Sequence, residues 1–422
     1  MRAPCATTCP EIPIDCDGNH APDGIVGPYR EKEGSFYSIR EIWAPVQIEE
    51  PRLSPLWDGW LTIENDFHYT SLKDCRLEWS LLDLPALGEP GTQTAVAASV
   101  TVPNVEIAPQ EKRRVQLTLP KAWHQHDALQ LRLFDPHGAE RMTWTWPITR
   151  PGREVASITK GSSVARITQT EEHYLLSAGE YEIKLDKTTG QMRAMSRAGQ
   201  QMRFPQGPRV LPGDAVLKTH SMEENKVIFQ FEGTLQKLEY SLNSDGWLRL
   251  VYNYKPNWGE HDQAGITFDY AEEGVKSVRW MGQGPYRVYK NRLKGPQFGV
   301  HQKVYNNTIT GYTWDYPEFK GYHADFYWAD LETDAGTLQM ATSTPGLFLH
   351  LFTPEEAPKP GKTTVIYPEG DLSFLHAIAR VGTKFKEAKS LGPQSQKTST
   401  NTRRRACSWL RRGDLFSGEI DQ

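Results

Sequence analysis

Short runs in which apolar and polar residues alternate, repeated from Tyr181 onward, constrain this chain more than any other feature. Tyr181-Glu-Ile-Lys-Leu185 alternates, and Asp186-Lys-Thr-Thr-Gly190 follows as a turn. Val227-Ile-Phe-Gln-Phe231, Lys237-Leu-Glu-Tyr-Ser-Leu242 and Trp247-Leu-Arg-Leu-Val-Tyr-Asn-Tyr254 continue the pattern. Successive side chains of a strand point to opposite faces, so a period of two marks a strand with one buried side. Roughly 220 residues of this kind with no helical period predict one large β-sandwich over 173–395.

A second alternating region lies upstream. Gly59-Trp-Leu-Thr-Ile-Glu-Asn65, Cys75-Arg-Leu-Glu-Trp-Ser-Leu81, Val115-Gln-Leu-Thr-Leu119, Leu129-Gln-Leu-Arg-Leu-Phe134 and Met142-Thr-Trp-Thr-Trp146 are separated by turns. This predicts an immunoglobulin-like sandwich over 45–148. Residues 149–172 are polar and read as a linker. Gly34–Trp43 is the exception to the β pattern. Phe36, Tyr37, Ile39, Ile42 and Trp43 share one helical face, Ser35 is placed to cap it and Pro45 to stop it. So short a helix needs a partner for that face. From Thr398 the alternation gives way to Ser, Thr, Asn and Arg, and 396–422 reads as a disordered or aberrant tail. The fold class expected is mainly β.

The balance of charge excludes some partners. The chain has 422 residues and a formal net charge of −4. That gives no electrostatic case for nucleic acid or an anionic membrane. The local exception is the cluster Arg403, Arg404, Arg405, Arg411 and Arg412, which is read with the tail. No apolar run approaches the ~20 residues of a membrane helix, and no apolar core of a secretory leader follows Arg2. Of the five cysteines, Cys5, Cys9 and Cys16 match no standard zinc spacing. Thirteen Trp, seventeen Tyr and fifteen Phe suit sheet cores, and a minority suit sugar contact, because ring faces stack on pyranoses.

Two motifs are more specific. Trp280-Met-Gly-Gln-Gly-Pro-Tyr-Arg-Val-Tyr-Lys-Asn-Arg292 and Pro317-Glu-Phe-Lys-Gly-Tyr-His-Ala-Asp325-Phe-Tyr-Trp328 resemble the C-terminal β-domain of glycoside hydrolase family 2 β-galactosidases. Arg287 and His323 depart from the family pattern, which has Glu and Arg there. Asp17 through Arg30 resembles the last loop of that family's catalytic barrel. The resemblance implies a short remnant of a (β/α)8 barrel over 1–44, an immunoglobulin-like sandwich, and a large galactose mutarotase-like supersandwich. It implies a retaining hydrolase of terminal non-reducing β-D-galactosides, using sodium and magnesium when full length. Asp17 stands where the family helps hold sodium, and His20 where a backbone carbonyl does so. Two such groups are too few for a hard cation, so no metal is expected in this chain alone. Phe385 is the nearest equivalent of an aromatic that stacks on the sugar, with Phe374 and His376 as further contact candidates. The compartment is left open, cytoplasmic or periplasmic for the full-length enzyme.

Retaining glycosidases need two carboxyls about 5 Å apart. The family carries both as Glu on barrel strands, one in an Asn-Glu pair, and this sequence contains no Asn-Glu. A barrel takes ~250 residues. No catalytic residue is therefore assigned. His261 and Asp262 could act as base and orienter but read better as a turn. The expected role is that of accessory sandwiches, inactive alone, acting with a barrel-containing partner chain or as a homo-oligomer on a galactoside or other carbohydrate. The alternatives are a stand-alone carbohydrate-binding or scaffolding protein and an aldose epimerase.

Overall fold

The computed structural model describes residues 25–26, 30–49, 51, 53–160, 165–257, 259–310, 317–356, 363–383, 385–399 and 402–413. The fold is mainly β, with two α-helices among the described residues.

Residues 46–148 form two facing sheets. One pairs Val46–Ile48, Trp60–Asn65 and Lys112–Gln116; the other pairs Ala95–Thr101, Arg76–Asp83, Ala128–Phe134 and Glu140–Pro147. The alternation read from sequence becomes burial here. Leu61 and Ile63 point inward from one sheet and meet Trp79, Leu81, Leu129 and Leu131 from the other. Asn65 is also fully buried, which costs free energy unless its amide is satisfied. Its Nδ2 donates to the carbonyls of Thr70 and Ile107, both at 3.0 Å, and its Oδ1 accepts from the amide of Phe67 at 3.0 Å. Asn65 thus replaces the ladder where its strand ends.

The large sandwich places a ten-stranded sheet over a nine-stranded one. In the nine-stranded sheet the strand Arg404–Gly413 lies between Leu248–Tyr254 and Gly336–Thr342, antiparallel to both. This corrects the disordered tail expected over 396–422, as far as its residues are described. Thr398–Ser399 likewise pairs with Glu260–His261. The period of two does persist in the central strand: Ala406, Ser408, Leu410 and Arg412 all turn inward and are buried. It escapes an apolar pattern search because half of those inward positions are polar. Arg412 is 0% exposed. It donates from Nη1 to the Tyr270 hydroxyl at 3.3 Å and from Nη2 to Thr333 Oγ1 at 3.0 Å.

The segment 149–172, expected as a linker, contains the helix Pro151–Ile158 and the strand Arg166–Gln169. Proline suits the first turn of a helix, where its missing N–H costs nothing. Val155 packs with Leu82 and Ala128 of the first sandwich and with Trp328 and Ala341 of the second. Ile158 packs against the same cluster and Pro151 is buried as well, but so few apolar positions in a polar stretch hid the helix from composition.

The helix Gly34–Ile42 forms as its periodicity predicts, but it begins after Glu33, so Ser35 lies inside the helix and not at its cap. It rests on the large sandwich. The Tyr37 and Tyr286 rings lie 5.1 Å apart, Glu41 Oε2 accepts from the amide of Gly295 at 2.7 Å, and Ser38 Oγ donates to the carbonyl of Lys294 at 2.6 Å. Trp43, at the end of the apolar face, remains 76% exposed.

Removing Arg404–Gly413 would leave two neighbouring strands with unpaired edges in mid-sheet. A chain ending at Arg403 is expected to lose cooperative unfolding in a thermal scan followed by circular dichroism. An unchanged transition would show that the strand is dispensable.

Candidate functional site

The two sequence motifs meet in the large sandwich. The first leaves the strand Val275–Gly284 and turns back over the second. Arg287 is buried and reaches the carbonyl of Lys320 at 3.3 Å and the Glu318 carboxylate at 3.8 Å. Gly321 has φ +120, and a Cβ there would lie 2.9 Å from Arg287 Cδ. Only glycine accepts both that backbone and that contact. Val288 N–H donates to the carbonyl of Tyr322 at 2.9 Å, closing the crossing.

Beneath it lies a group of buried titratable residues. Trp280 is flanked by His301 at 5.2 Å and His323 at 5.0 Å between ring centroids. Lys303 Nζ sits 5.1 Å from the Trp280 ring and donates to the carbonyl of Glu318. Burial lowers the Lys303 pKa to about 7 and that of His301 to about 4. The fully buried His350 falls to about 3 for the same reason. His323 and His350 are fully buried, whereas His301 keeps some contact with solvent. The three rings pack the motifs together.

The open part of this region lies past Asn291. Asn291 Oδ1 accepts from the Val381 amide and its Nδ2 donates to the Val381 carbonyl, each at 2.9 Å. The same Nδ2 donates to Ser395 Oγ at 3.1 Å. Arg380 adds a bond to the carbonyl of Ser395 at 2.7 Å, and Lys290 N–H donates to the carbonyl of Ala379 at 2.9 Å. Asn291 thus imitates a strand partner and ties down both arms of the loop 379–397. That loop borders a crevice of about 440 Å³, whose walls include Asp262, Ile366, Arg380, Glu387, Lys389 and Lys397. Small-molecule sites commonly enclose about 300–1,000 Å³.

The sequence candidates separate here. Phe385 is 77% exposed on the turn Thr383–Lys386, two residues before Glu387 of the crevice wall. Phe374 is 1% exposed and lies in the sandwich core, edge-on to Phe268 and stacked on Phe326. The expectation that it contacts sugar is corrected: the strand Leu372–Ala377 turns position 374 into the core, while His376 stays partly exposed. His376 meets the Tyr254 hydroxyl through Nδ1 at 2.7 Å, and burial lowers its pKa to about 4. Asp17 and His20 lie outside the described residues. His261 and Asp262 act separately, His261 with the carbonyl of Asn257 at 2.9 Å and Asp262 with Lys397 at 3.0 Å. Among the described residues no group of three or more His, Cys, Asp or Glu is placed to hold a metal. Asn291 and Arg380 were missed as framing residues. Asn291 does stand in the first motif, but nothing local reveals a partner ninety residues away.

Residues 211–357 match the family model described as beta galactosidase small chain. This region, roughly a third of the chain, is β-galactosidase-related. It contains both motifs and Asn291, and ends before the loop 379–397. No curated protein matches the chain. Solved structures with some likeness include a candidate aldose 1-epimerase from Escherichia coli K12, at 11% identity and a TM-score of 0.33, covering 59% of this chain and 100% of its own. A candidate mutarotase from Salmonella typhimurium has 9% identity and a TM-score of 0.31, with coverage of 62% and 99%. Galactose 1-epimerase from Lactobacillus acidophilus NCFM has 10% identity and a TM-score of 0.32, with coverage of 60% and 100%. Likeness at this level bears on neither chemistry nor mechanism.

Replacing Asn291 with Ala is expected to speed amide hydrogen exchange in 379–383 and 385–397, leaving the first sandwich unchanged. Equal protection in mutant and wild type would deny the clamp.

The buried titratable groups also set a pH dependence. His301 and His350 stay neutral in the fold while the unfolded chain protonates near 6.5, so their contribution is complete above that pH and falls as pH drops towards 4. Lys303 releases its proton near 7 when folded but near 10.5 when unfolded, so unfolding takes up a proton in that window and stability rises with pH across it. Urea midpoints are expected to climb from pH 4 to 6.5, and Lys303→Met to flatten the slope above pH 7.

Proposed function

We propose that this chain forms the accessory sandwiches of a retaining, family 2 β-galactosidase and presents one wall of its sugar site. The match of 211–357 to β-galactosidase small chains carries the proposal. Two further observations support it. Among the described residues the parallel pairing is confined to Ile309–Thr310 with Glu355–Glu356, so these residues build no eight-stranded catalytic barrel. Phe385, 77% exposed and two residues before Glu387 of the crevice wall, is the kind of side chain on which a pyranose stacks.

The division of labour follows from the chemistry. Protonation of the departing oxygen and attack on the anomeric carbon require two carboxyls about 5 Å apart. Those groups belong to a barrel working against this chain. The chain contributes positioning: the loop 379–397, held by Asn291 and Arg380, sets the height and angle of Phe385. Fixing such a contact in advance lowers the ordering cost of binding.

Nitrophenyl β-galactoside turnover tests the proposal. The chain by itself is expected to give no turnover, and a mixture with a barrel-containing family 2 chain to give measurable hydrolysis. In that mixture Phe385→Ala is expected to lower kcat/KM about two- to tenfold, the value of one ring contact. Hydrolysis by the chain alone, or a mixture that stays inert, would overturn the reading.

A further inference from the structure

We propose that the strand Ala95–Thr101 pairs antiparallel with the same strand of a second copy of this chain, joining two first sandwiches edge to edge. The inference stands apart from the galactosidase reading and rests on the sheet edge alone.

This strand is the outer member of its four-stranded sheet, and among the described residues no strand pairs with its far side. The opposite edge of the same sheet, Glu140–Pro147, lies against the strand Gln297–Val304 of the large sandwich. The register shows which main-chain groups are left over. Val102 N–H donates to the carbonyl of Leu77 at 2.8 Å, and Val100 and Ala98 stand opposite Trp79 and Leu81. Antiparallel bonding alternates, so positions 98, 100 and 102 turn their amides and carbonyls to the neighbouring strand, while Ser99 and Thr101 turn theirs away. The register shifts once, between Leu81 and Leu82, so 98–101 is the regular part of the edge. Six of the seven residues are exposed, Val96 at 60% and Val100 at 44%.

Composition selects the occupant. An open edge is ordinarily guarded by charge, proline or brevity. Two other edge strands follow that rule: Lys112–Gln116 carries Lys112, Arg113 and Arg114, and Ala215–Met222 carries Lys218. Residues 90–105 contain no charged side chain. A charged partner therefore finds nothing to pair with along this edge. A second copy does fit it. Val stands second from each end of the strand, with only Ala and Ser between. An antiparallel copy thus sets small and β-branched side chains against their like, and no like charges meet across the pair. Self-pairing of Lys112–Gln116 would bring basic residues together instead. The seven residues form a ribbon about 24 Å long. That is less than a standard interface of about 1,600 Å² supplies, so the dimer is weak and reversible, in the range of about 1–100 μM.

Sedimentation velocity of the full chain across that concentration range tests this. The mean mass is expected to rise reversibly from one chain towards two. Val100→Lys puts a charge on the edge, and Thr101→Pro removes an outward N–H. Each is expected to weaken the dimer about tenfold or more. Both positions are exposed, and proline is tolerated on the open side of an edge strand, so melting temperatures of the dilute variants are expected to stay close to wild type. Amide exchange at Ser99 and Thr101 is expected to slow as the dimer fills. A mass of one chain at every concentration would overturn the proposal. So would a dimer that both variants leave intact, or one in which those two amides exchange as fast as in the monomer, because either result puts the contact on another face.

Discussion

Arg287 crosses beneath Gly321, and the arrangement of the open end of the large sandwich follows from that contact. A side chain at 321 would meet the Arg287 stem, so the two motifs approach only through glycine. With the crossing made, Val288 can bond Tyr322, and the chain that continues to Asn291 reaches Val381 and Ser395. Each step is short range in space and long range in sequence. The loop that carries Phe385 is placed by a chain of contacts that begins at a buried guanidinium.

Burying basic side chains is costly, and this sandwich encloses Arg279, Arg287, Lys303, Lys320 and Arg412. Arg279 and Lys320 pair with the carboxylates of Asp330 and Glu272, each at 2.7 Å. The partners of Arg287, Lys303 and Arg412 are largely carbonyls, hydroxyls and ring faces: the carbonyls of Lys320 and Glu318, the Tyr270 and Thr333 hydroxyls, and the ring of Trp280. Such partners recover part of the hydration lost on burial. Removing a partner would strand the charge, a much larger penalty than the net value of the contact. A network of this kind favours one arrangement of strands over near alternatives.

The sheets were legible because their chemistry is local. Leu61, Ile63, Leu129 and Leu131 alternate with polar neighbours, and the alternation translates directly into one wet and one dry face. The helix Gly34–Ile42 was legible for the same reason at a different period. Two elements resisted. Pro151–Ile158 needs only Val155 and its N-terminal proline to be buried, too little apolar signal to stand out from a linker. Arg404–Gly413 keeps its period of two but turns Ser408 and Arg412 inward, so the dry face is partly polar. Among the sugar-contact candidates, Phe374 and Phe385 are the same residue type eleven positions apart. One lies on a strand facing the core and the other on a turn facing solvent, and composition cannot separate them.

The sequence by itself determined the mainly β class, the presence of two alternating regions and the two motifs of the β-galactosidase-related segment, because each is written in the spacing of nearby residues. Tertiary structure alone decided that a string of arginines would form the middle of a sheet, that Asn291 would hold a loop ninety residues away, and that Asp262 would pair with Lys397 instead of His261. These outcomes depend on which surfaces meet once the sheets have closed. A single chain read in one dimension carries the donors and acceptors but not the distances between them.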